Sequence, residues 1–259
     1  MNTMQPLNAP IALVTGAARG IGLAVCRRLA GNGMSIAAID SDEAQLDATC
    51  EQLRREGFDL LALSMDIGSE QAILTLPQRL GERFNRVACL VNNAGMSPRD
   101  PAGRKIPVID LSLEIWNRTI QVNLTAAFLL CKMFLPPMLA ASHGRIINMS
   151  SLGGRTSPSD MTTAVYGTTK AGLIGFTRVL AREVGARGVT VNAICPGRIE
   201  TSMATAAEPQ GNAEFLKRTP VGRNGTPEEV AELVAYLAGP LAGFVTGAAF
   251  DINGGAWMG

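Results

Sequence analysis

The chain of 259 residues carries 23 basic and 22 acidic side chains, a net charge of +1, and 47% hydrophobic residues. This balance excludes a disordered chain and gives no reason to expect a nucleic acid or a membrane surface as partner. Five widely spaced cysteines without a C-x-x-C pair, and one histidine, exclude a disulfide framework and zinc sites built on several His or paired Cys, so no metal is expected.

Met1 to Pro10 reads as a short polar tail with no basic or apolar signal region, consistent with a cytoplasmic protein with reduced thiols. No stretch reads as a membrane span free of charge, Pro or Gly clusters. Ile11–Thr15 is a buried strand. Gly20 to Asn32 is a helix, with Ile21, Val25 and Leu29 on one face and Arg27 and Arg28 on the other. Ser35–Ile39 is a strand and Asp42–Gly57 a polar-faced helix. Leu60–Met65 is a third strand. Glu70–Phe84 is a helix that Pro77 bends or divides. Val87–Val91 is a fourth strand. A long helix runs from Leu113 to roughly Leu135, before Pro136 and Pro137. Arg145–Met149 is a strand, Ala164–Gly188 a long helix and Val189–Ile194 a strand. Thr226-Pro-Glu-Glu229 starts another helix with a capping box, and Ala248–Ile252 is the last strand. Alternating strands and helices without a dividing linker predict one α/β domain spanning 1–259. It is a Rossmann-type doubly wound fold, with a mostly parallel seven-stranded sheet covered by helices on both faces. Its ligand cleft lies outside the carboxyl ends of the strands.

Thr15-Gly16-Ala17-Ala18-Arg19-Gly20-Ile21-Gly22 follows the first strand. Glycines there let backbone N–H groups approach a pyrophosphate, and the helix N-terminus adds a favourable dipole. Asp40 closes the second strand, about twenty residues on, where a carboxylate accepts from both ribose hydroxyls of NAD and repels the 2′-phosphate of NADP. Arg19 argues the other way, so NAD is favoured and NADP stays possible. Asp66-Ile67 follows the third strand, within reach of an adenine. Asn92-Asn93-Ala94-Gly95 follows the fourth, where small residues and carboxamides suit a backbone close to a cofactor.

Tyr166 and Lys170 lie one helical turn apart on one face. An ammonium beside a phenol stabilises the phenolate, so Tyr166 can act as general acid or base. Ser150-Ser151 ends the fifth strand, and a hydroxyl there can hold a substrate oxygen against the Tyr hydroxyl; Ser151 is chosen, with Ser150 the competitor. Asn123, inside the long helix, either points to solvent or, if buried, holds a water that relays protons to Lys170. His143 reads as a surface turn residue, and with no G-x-S-x-G elbow a serine hydrolase is excluded. Cys195 sits near these motifs, which leaves a reactive thiol as a minor alternative to a buried one.

Together these residues resemble the short-chain dehydrogenase/reductase family. The resemblance runs from Ile11 to Gly255 and adds Pro196-Gly197 and Asn253-Gly254-Gly255. It implies that Ser151 orients the substrate, Tyr166 transfers the proton, Lys170 binds the nicotinamide ribose and tunes Tyr166, and Asn123 maintains the relay. Pro196, Gly197, Ile199 and Thr201 match the segment that meets the nicotinamide end. It also implies a homotetramer, often built through the two long helices, and a small alcohol or ketone as substrate. A catalytically silent NAD-binding regulator on the same fold is the alternative, one that would not need the Ser-Tyr-Lys set. Specificity is expected in residues 96–110, 152–163 and 199–225. Arg99, Arg104 and Lys105 read as a solvated loop, with contact to an anionic substrate as the sharper alternative. Arg198 is an unusual residue in its segment and a candidate for tuning the same pocket.

Overall fold

The computed structural model describes residues 9–156, 162–202 and 215–259. Seven parallel strands form one sheet in the order β3-β2-β1-β4-β5-β6-β7. They are β1 (Ile11–Thr15), β2 (Ser35–Asp40), β3 (Leu60–Ser64), β4 (Val87–Asn92), β5 (Gly144–Met149), β6 (Val189–Pro196) and β7 (Ala249–Ile252). The order reverses between β1 and β4, so the loops leaving these two strands diverge and open a crevice at their carboxyl ends.

Side chains alternate across β1. Ala12 and Val14 face a core with Val25 and Leu29 of α1 (Gly20–Gly31), Leu46 and Leu53 of α2 (Glu43–Arg55), and Val230 and Val234 of α8 (Pro227–Ala238). Ile11 and Leu13 face the opposite core. Leu130, Phe134 and Met138 of α6 (Ala126–Ala140) fill that side, with Leu180 and Val184 of α7 (Ala164–Val184). Both faces are covered, so the strands read as continuous apolar runs rather than alternating ones. Side-chain caps fix several helix starts. Asp42 accepts from Gln45 N at 3.2 Å, and Thr226 and Glu229 form the expected capping box.

The structure departs from the sequence reading in three helices. The segment after β3 is two short helices, α3 (Glu70–Leu74) and α4 (Leu76–Leu80), followed by a 3₁₀ stretch from Gly81 to Arg86. Pro77 sits in the first turn of α4, where its missing N–H costs nothing. The helix expected to stop before Pro136 runs on to Ala140. Phe134 and Met138, four residues apart, are both buried against the sheet, while Pro136 is exposed. Burial on one face therefore carries the helix through the prolines, whose φ is already helical. The same helix is interrupted by a π turn at Gln121–Thr125, between α5 (Leu113–Ile120) and α6. Taken together, Leu113–Ala140 is long and apolar enough to cross a membrane by length and composition alone, although it carries Glu114, Arg118, Lys132 and the Pro136-Pro137 pair that the sequence reading took as breaks in any such span. Its apolar content has a local reason, because one face packs on β4 and β5. The third departure is at the end of α7, which stops at Val184 and is followed by a 3₁₀ turn to Arg187 and by Gly188 at φ +80°.

The five cysteines are free and buried. Burial raises the Cys195 thiol above its ordinary value, which rules out a ready thiolate there. His143 lies exposed in the turn before β5, as expected.

Candidate active site

A cavity of about 660 Å³ opens at the β1/β4 crevice. Every sequence-selected site residue lines it except Asn123. The loop after β1 is built by its glycines. Gly16 has φ +67°, and a Cβ there would lie 2.9 Å from Ala94 Cα. At Gly22 a Cβ would overlap the Gly16 carbonyl, 2.7 Å from its carbon. Thr15, whose own role the sequence reading left open, ties the two switch-point loops together. Its hydroxyl accepts from Asn93 N and Ala94 N, both at 3.0 Å. Asn93 returns the tie by donating from Nδ2 to Thr15 O at 2.9 Å and Gly16 O at 3.2 Å. The Asn93 carboxamide nitrogen is thus spent on loop geometry.

No side chain caps the start of α1. A helix start of this kind, beside a cradle that a Cβ would fill, fits the pyrophosphate of a dinucleotide. Asp40 follows at the end of β2. Its Oδ2 accepts from Ala18 N at 3.0 Å and its Oδ1 from Asp42 N at 3.1 Å, which fixes the carboxylate at the cavity wall. Arg19 is ion-paired with Asp42. Asp66 is held by Arg118 through two hydrogen bonds of 2.8 and 2.9 Å and accepts from Gly68 N at 2.9 Å. Arg118 keeps that carboxyl below its usual range, with burial opposing. Nothing in the local sequence marks Arg118, since its partner lies 52 positions away.

At the other end, Tyr166 and Lys170 lie on α7 and line the same cavity. Ser151 follows β5, and its hydrogen bond to the Tyr166 hydroxyl favours the phenolate. Ser150 turns inward instead, donating to Lys170 O at 2.7 Å. This separates the two serines, for only the Ser151 hydroxyl faces the phenol. The expected lowering of Tyr166 by Lys170 is corrected here. Burial is the largest influence on the phenol and the net shift is upward. Lys170 Nζ donates to Met149 O at 2.7 Å and lies 5.6 Å from the centre of the Tyr166 ring. The ammonium is itself buried, which pushes its pKa down to about 8.

Asn123 is buried in the π turn and does not face solvent. Its Oδ1 accepts from Met96 N at 2.8 Å. Its Nδ2 donates to Met96 O at 2.9 Å and to Thr169 Oγ1 at 3.1 Å. The carboxamide therefore clamps the loop after β4 onto α7 beside Lys170. Pro196-Gly197 ends β6, where Gly197 packs closely on the C-terminal segment. A Cβ on it would lie 2.8 Å from Asn253 Cα. Ile199 bridges to Gly225, and Thr201 approaches Gly20. Met96, Ser97, Leu152 and Phe215, from the three expected specificity segments, complete the wall at this end, while Met65, Arg118 and Val122 line the cavity without having been singled out in the sequence. Among the described residues no cluster of His, Cys, Asp and Glu could hold a metal.

An open parallel sheet that reverses at a glycine cradle, with a tyrosine and a lysine side by side in the crevice, defines a dinucleotide-binding oxidoreductase. Comparison with known proteins bears this out. Residues 16–256 match the family described as Enoyl-(Acyl carrier protein) reductase. The 2,3-dihydroxy-2,3-dihydro-p-cumate dehydrogenase of Pseudomonas putida F1 is 40% identical over 257 residues, covering 98% of this chain and 96% of that protein. A 3-oxoacyl-[acyl-carrier protein] reductase from Brucella melitensis, solved with bound NAD, superimposes with a TM-score of 0.89. It is 35% identical, with 96% of this chain and 92% of that chain covered. A substituted actinorhodin polyketide ketoreductase solved with NADPH gives a TM-score of 0.89 at 36% identity, covering 98% and 99% of the two chains. The chain belongs to the short-chain dehydrogenase/reductase family. It is an NAD(P)-dependent oxidoreductase acting on CH–OH and keto groups.

Proposed function

We propose that this enzyme interconverts a secondary alcohol and a ketone with Tyr166 as the proton-transferring group and NAD as the preferred coenzyme. The observation that carries the reading is the convergence of Tyr166, Ser151 and Lys170 on one wall of the glycine-cradled cavity. When bound, the coenzyme supplies or accepts the hydride. Gly16, Gly20, Ile21 and Gly22 hold its pyrophosphate, and Asp40 its adenosine ribose. Ala94 and Gly95 border it from β4, and Ile67 borders the adenine with Asp66. Pro196, Gly197, Ile199 and Thr201 border the nicotinamide end.

The chain's own residues do the rest. Ser151 donates to the substrate oxygen and holds it against the phenol. Tyr166 gives its proton to that oxygen in reduction and takes one in oxidation. A phenol kept protonated by burial is a proton donor at neutral pH, which suits reduction. Lys170 binds the nicotinamide ribose and supplies positive charge beside the phenol. Asn123 acts through Met96 and Thr169 on the position of Lys170, and the proton relay runs past it. The pairing of Arg19 with Asp42 supports NAD, because it offsets the one loop cation that would favour a 2′-phosphate.

The enzyme is further proposed to be a homotetramer assembled through the long helices. Phe128 of α6 packs edge-on to Phe176 of α7 at 6.3 Å, and the exposed Val179 continues that apolar face.

The test is a screen of ketones and secondary alcohols followed by NADH absorbance, in wild type and Ser151→Ala. Activity with at least one ketone, reduced about a hundredfold or more in the variant, supports the reading. A variant as active as wild type contradicts the role of Ser151.

A further inference from the structure

Among the described residues, Arg19, Arg99, Arg118 and Arg198 line the cavity, while Arg104 is exposed beside Asp100 and Lys105 does not line it. Arg118 stands at the adenosine end, bonded to Asp66. It lies four residues before Val122, so the two side chains share a face, and both reach the cavity wall. Ser112 fixes the start of their helix by accepting from Ile115 N at 3.2 Å.

The guanidinium rests on bare backbone. A Cβ on Gly68 would overlap Arg118 Nη1, 2.9 Å from Cζ, and would stand 3.0 Å from Val122 Cγ2. The glycine therefore makes room for the arginine. The loop beneath is fixed from its other side, where Ser69 N donates to Asp66 O at 3.0 Å and Ser69 Oγ accepts from Ala72 N at 3.2 Å.

The acceptor positions of Asp66 are unequally filled. Its Oδ1 takes Arg118 Nη2 at 2.8 Å and Gly68 N at 2.9 Å. Among the described residues its Oδ2 takes Arg118 Nη2 alone, at 2.9 Å. A carboxylate oxygen accepts about two hydrogen bonds, so Oδ1 is saturated and Oδ2 keeps one position for a donor in the cavity that Asp66 lines. Arg118 also keeps the carboxyl below its usual range, which leaves Asp66 a pure acceptor at neutral pH. The pair is nearly half exposed and contributes little to folding, so it can be altered without loss of the fold.

We propose that Arg118 is a positioning residue for the base of the coenzyme: it presents Asp66 with the Oδ2 position unfilled and thereby selects a purine carrying an amino group over one carrying an oxo group. The proposal rests on the placement of the adenine beside Asp66 assigned above. An amino N–H donates to that position in a charge-assisted hydrogen bond, whereas an oxo oxygen meets it with charge of the same sign. Released from Arg118, the carboxylate keeps its charge but turns among rotamers, and the selection falls with the lost preorganisation.

Fluorescence titration compares the binding of NADH with that of reduced nicotinamide hypoxanthine dinucleotide, in which an oxo group replaces the amino group of the base. Wild type is expected to bind NADH at least about tenfold more tightly. Arg118→Met removes most of that ratio by weakening NADH, and leaves the hypoxanthine form within about twofold. Arg118→Lys restores part of it. Gly68→Ala leaves both charges in place and displaces the end of a flexible side chain, and it lowers the ratio in the same way. Asp66→Asn, whose carboxamide can also donate, abolishes the ratio. An unchanged ratio in Arg118→Met and Gly68→Ala, or an equal weakening of both coenzymes, reduces Arg118 to a loop tether and overturns the proposal. Loss of the ratio in Asp66→Asn then shows that the placement of the adenine stands by itself. A ratio near one in wild type, or one that survives Asp66→Asn, overturns that placement and the proposal with it.

Discussion

Lys170 shows what the site costs the fold. Its ammonium is 3% exposed, and burial lowers its pKa from 10.5 to about 8. Between those values the unfolded chain binds a proton that the folded chain lacks, so this group's contribution to stability rises with pH through that window. Below about 8 the penalty is fully present, worth about 3 kcal/mol. Lys170→Met removes it but leaves Met149 O without its donor, a loss of about 1 kcal/mol. The coenzyme-free variant is therefore expected to be about 2 kcal/mol more stable than wild type at pH 7. That advantage shrinks toward pH 10.5, as urea unfolding of both proteins will read. A variant less stable than wild type at pH 7 contradicts the account. Asp40 belongs to the same scale. Wild type is expected to show the higher kcat/KM with NAD, and Asp40→Ala should narrow its gap to NADP. A wild type preferring NADP about tenfold refutes the assignment. At this scale, the sequence made visible which residue types converge but not their partners. Asn123 and Asn93 were both selected, yet their carboxamides turn out to hold backbone, at Met96 and at Thr15 and Gly16. Such contacts join positions 27 to 78 residues apart, and no local pattern encodes them.

Among elements, the tightest constraint is the crossing of α1 over the end of β1. Gly22→Ala drives a Cβ into the Gly16 carbonyl, and Asn93 Nδ2 stands 2.9 Å from the same point. Neither backbone nor staple can yield, because Gly16 is already at φ +67°. The substitution is expected to cost about 2 kcal/mol or more and to weaken NADH binding together with stability, read by thermal melts and fluorescence titration. Normal melting with normal NADH affinity contradicts the packing. The glycine loop, the strands and the capped helix at Thr226 were legible because each is specified by neighbours in sequence. The extent of the long helix was not. Pro136 and Pro137 signal a stop locally, while burial of Phe134 and Met138 on the sheet decides otherwise. The π turn around Asn123 leaves no periodic signature either; it is seen only in the backbone, where Ala126 N donates to Gln121 O. Residues 157–161 and 203–214, parts of two expected specificity loops, lie outside the described residues.

For the whole molecule, the reversal of strand order at β1/β4 brings residues from Gly16 to Phe215 around one cavity. Alternation of strand and helix was enough to foresee that architecture, since right-handed crossovers leave few other arrangements. The proposed homotetramer belongs to the same scale. Val179, 61% exposed on α7, continues the face carrying Phe128 and Phe176. Val179→Asp is expected to lower the mass measured by light scattering from that of four chains, and an unchanged tetramer excludes this face as the interface. The central claim is that the Tyr166 hydroxyl supplies the proton when a ketone is reduced. It is tested most directly by a single turnover of Tyr166→Phe preloaded with NADH and mixed with a ketone that wild type reduces. The account predicts NADH affinity within about threefold of wild type, and oxidation of the bound NADH slowed by about three orders of magnitude or more. Oxidation at the wild-type rate, with NADH fully bound, would contradict it.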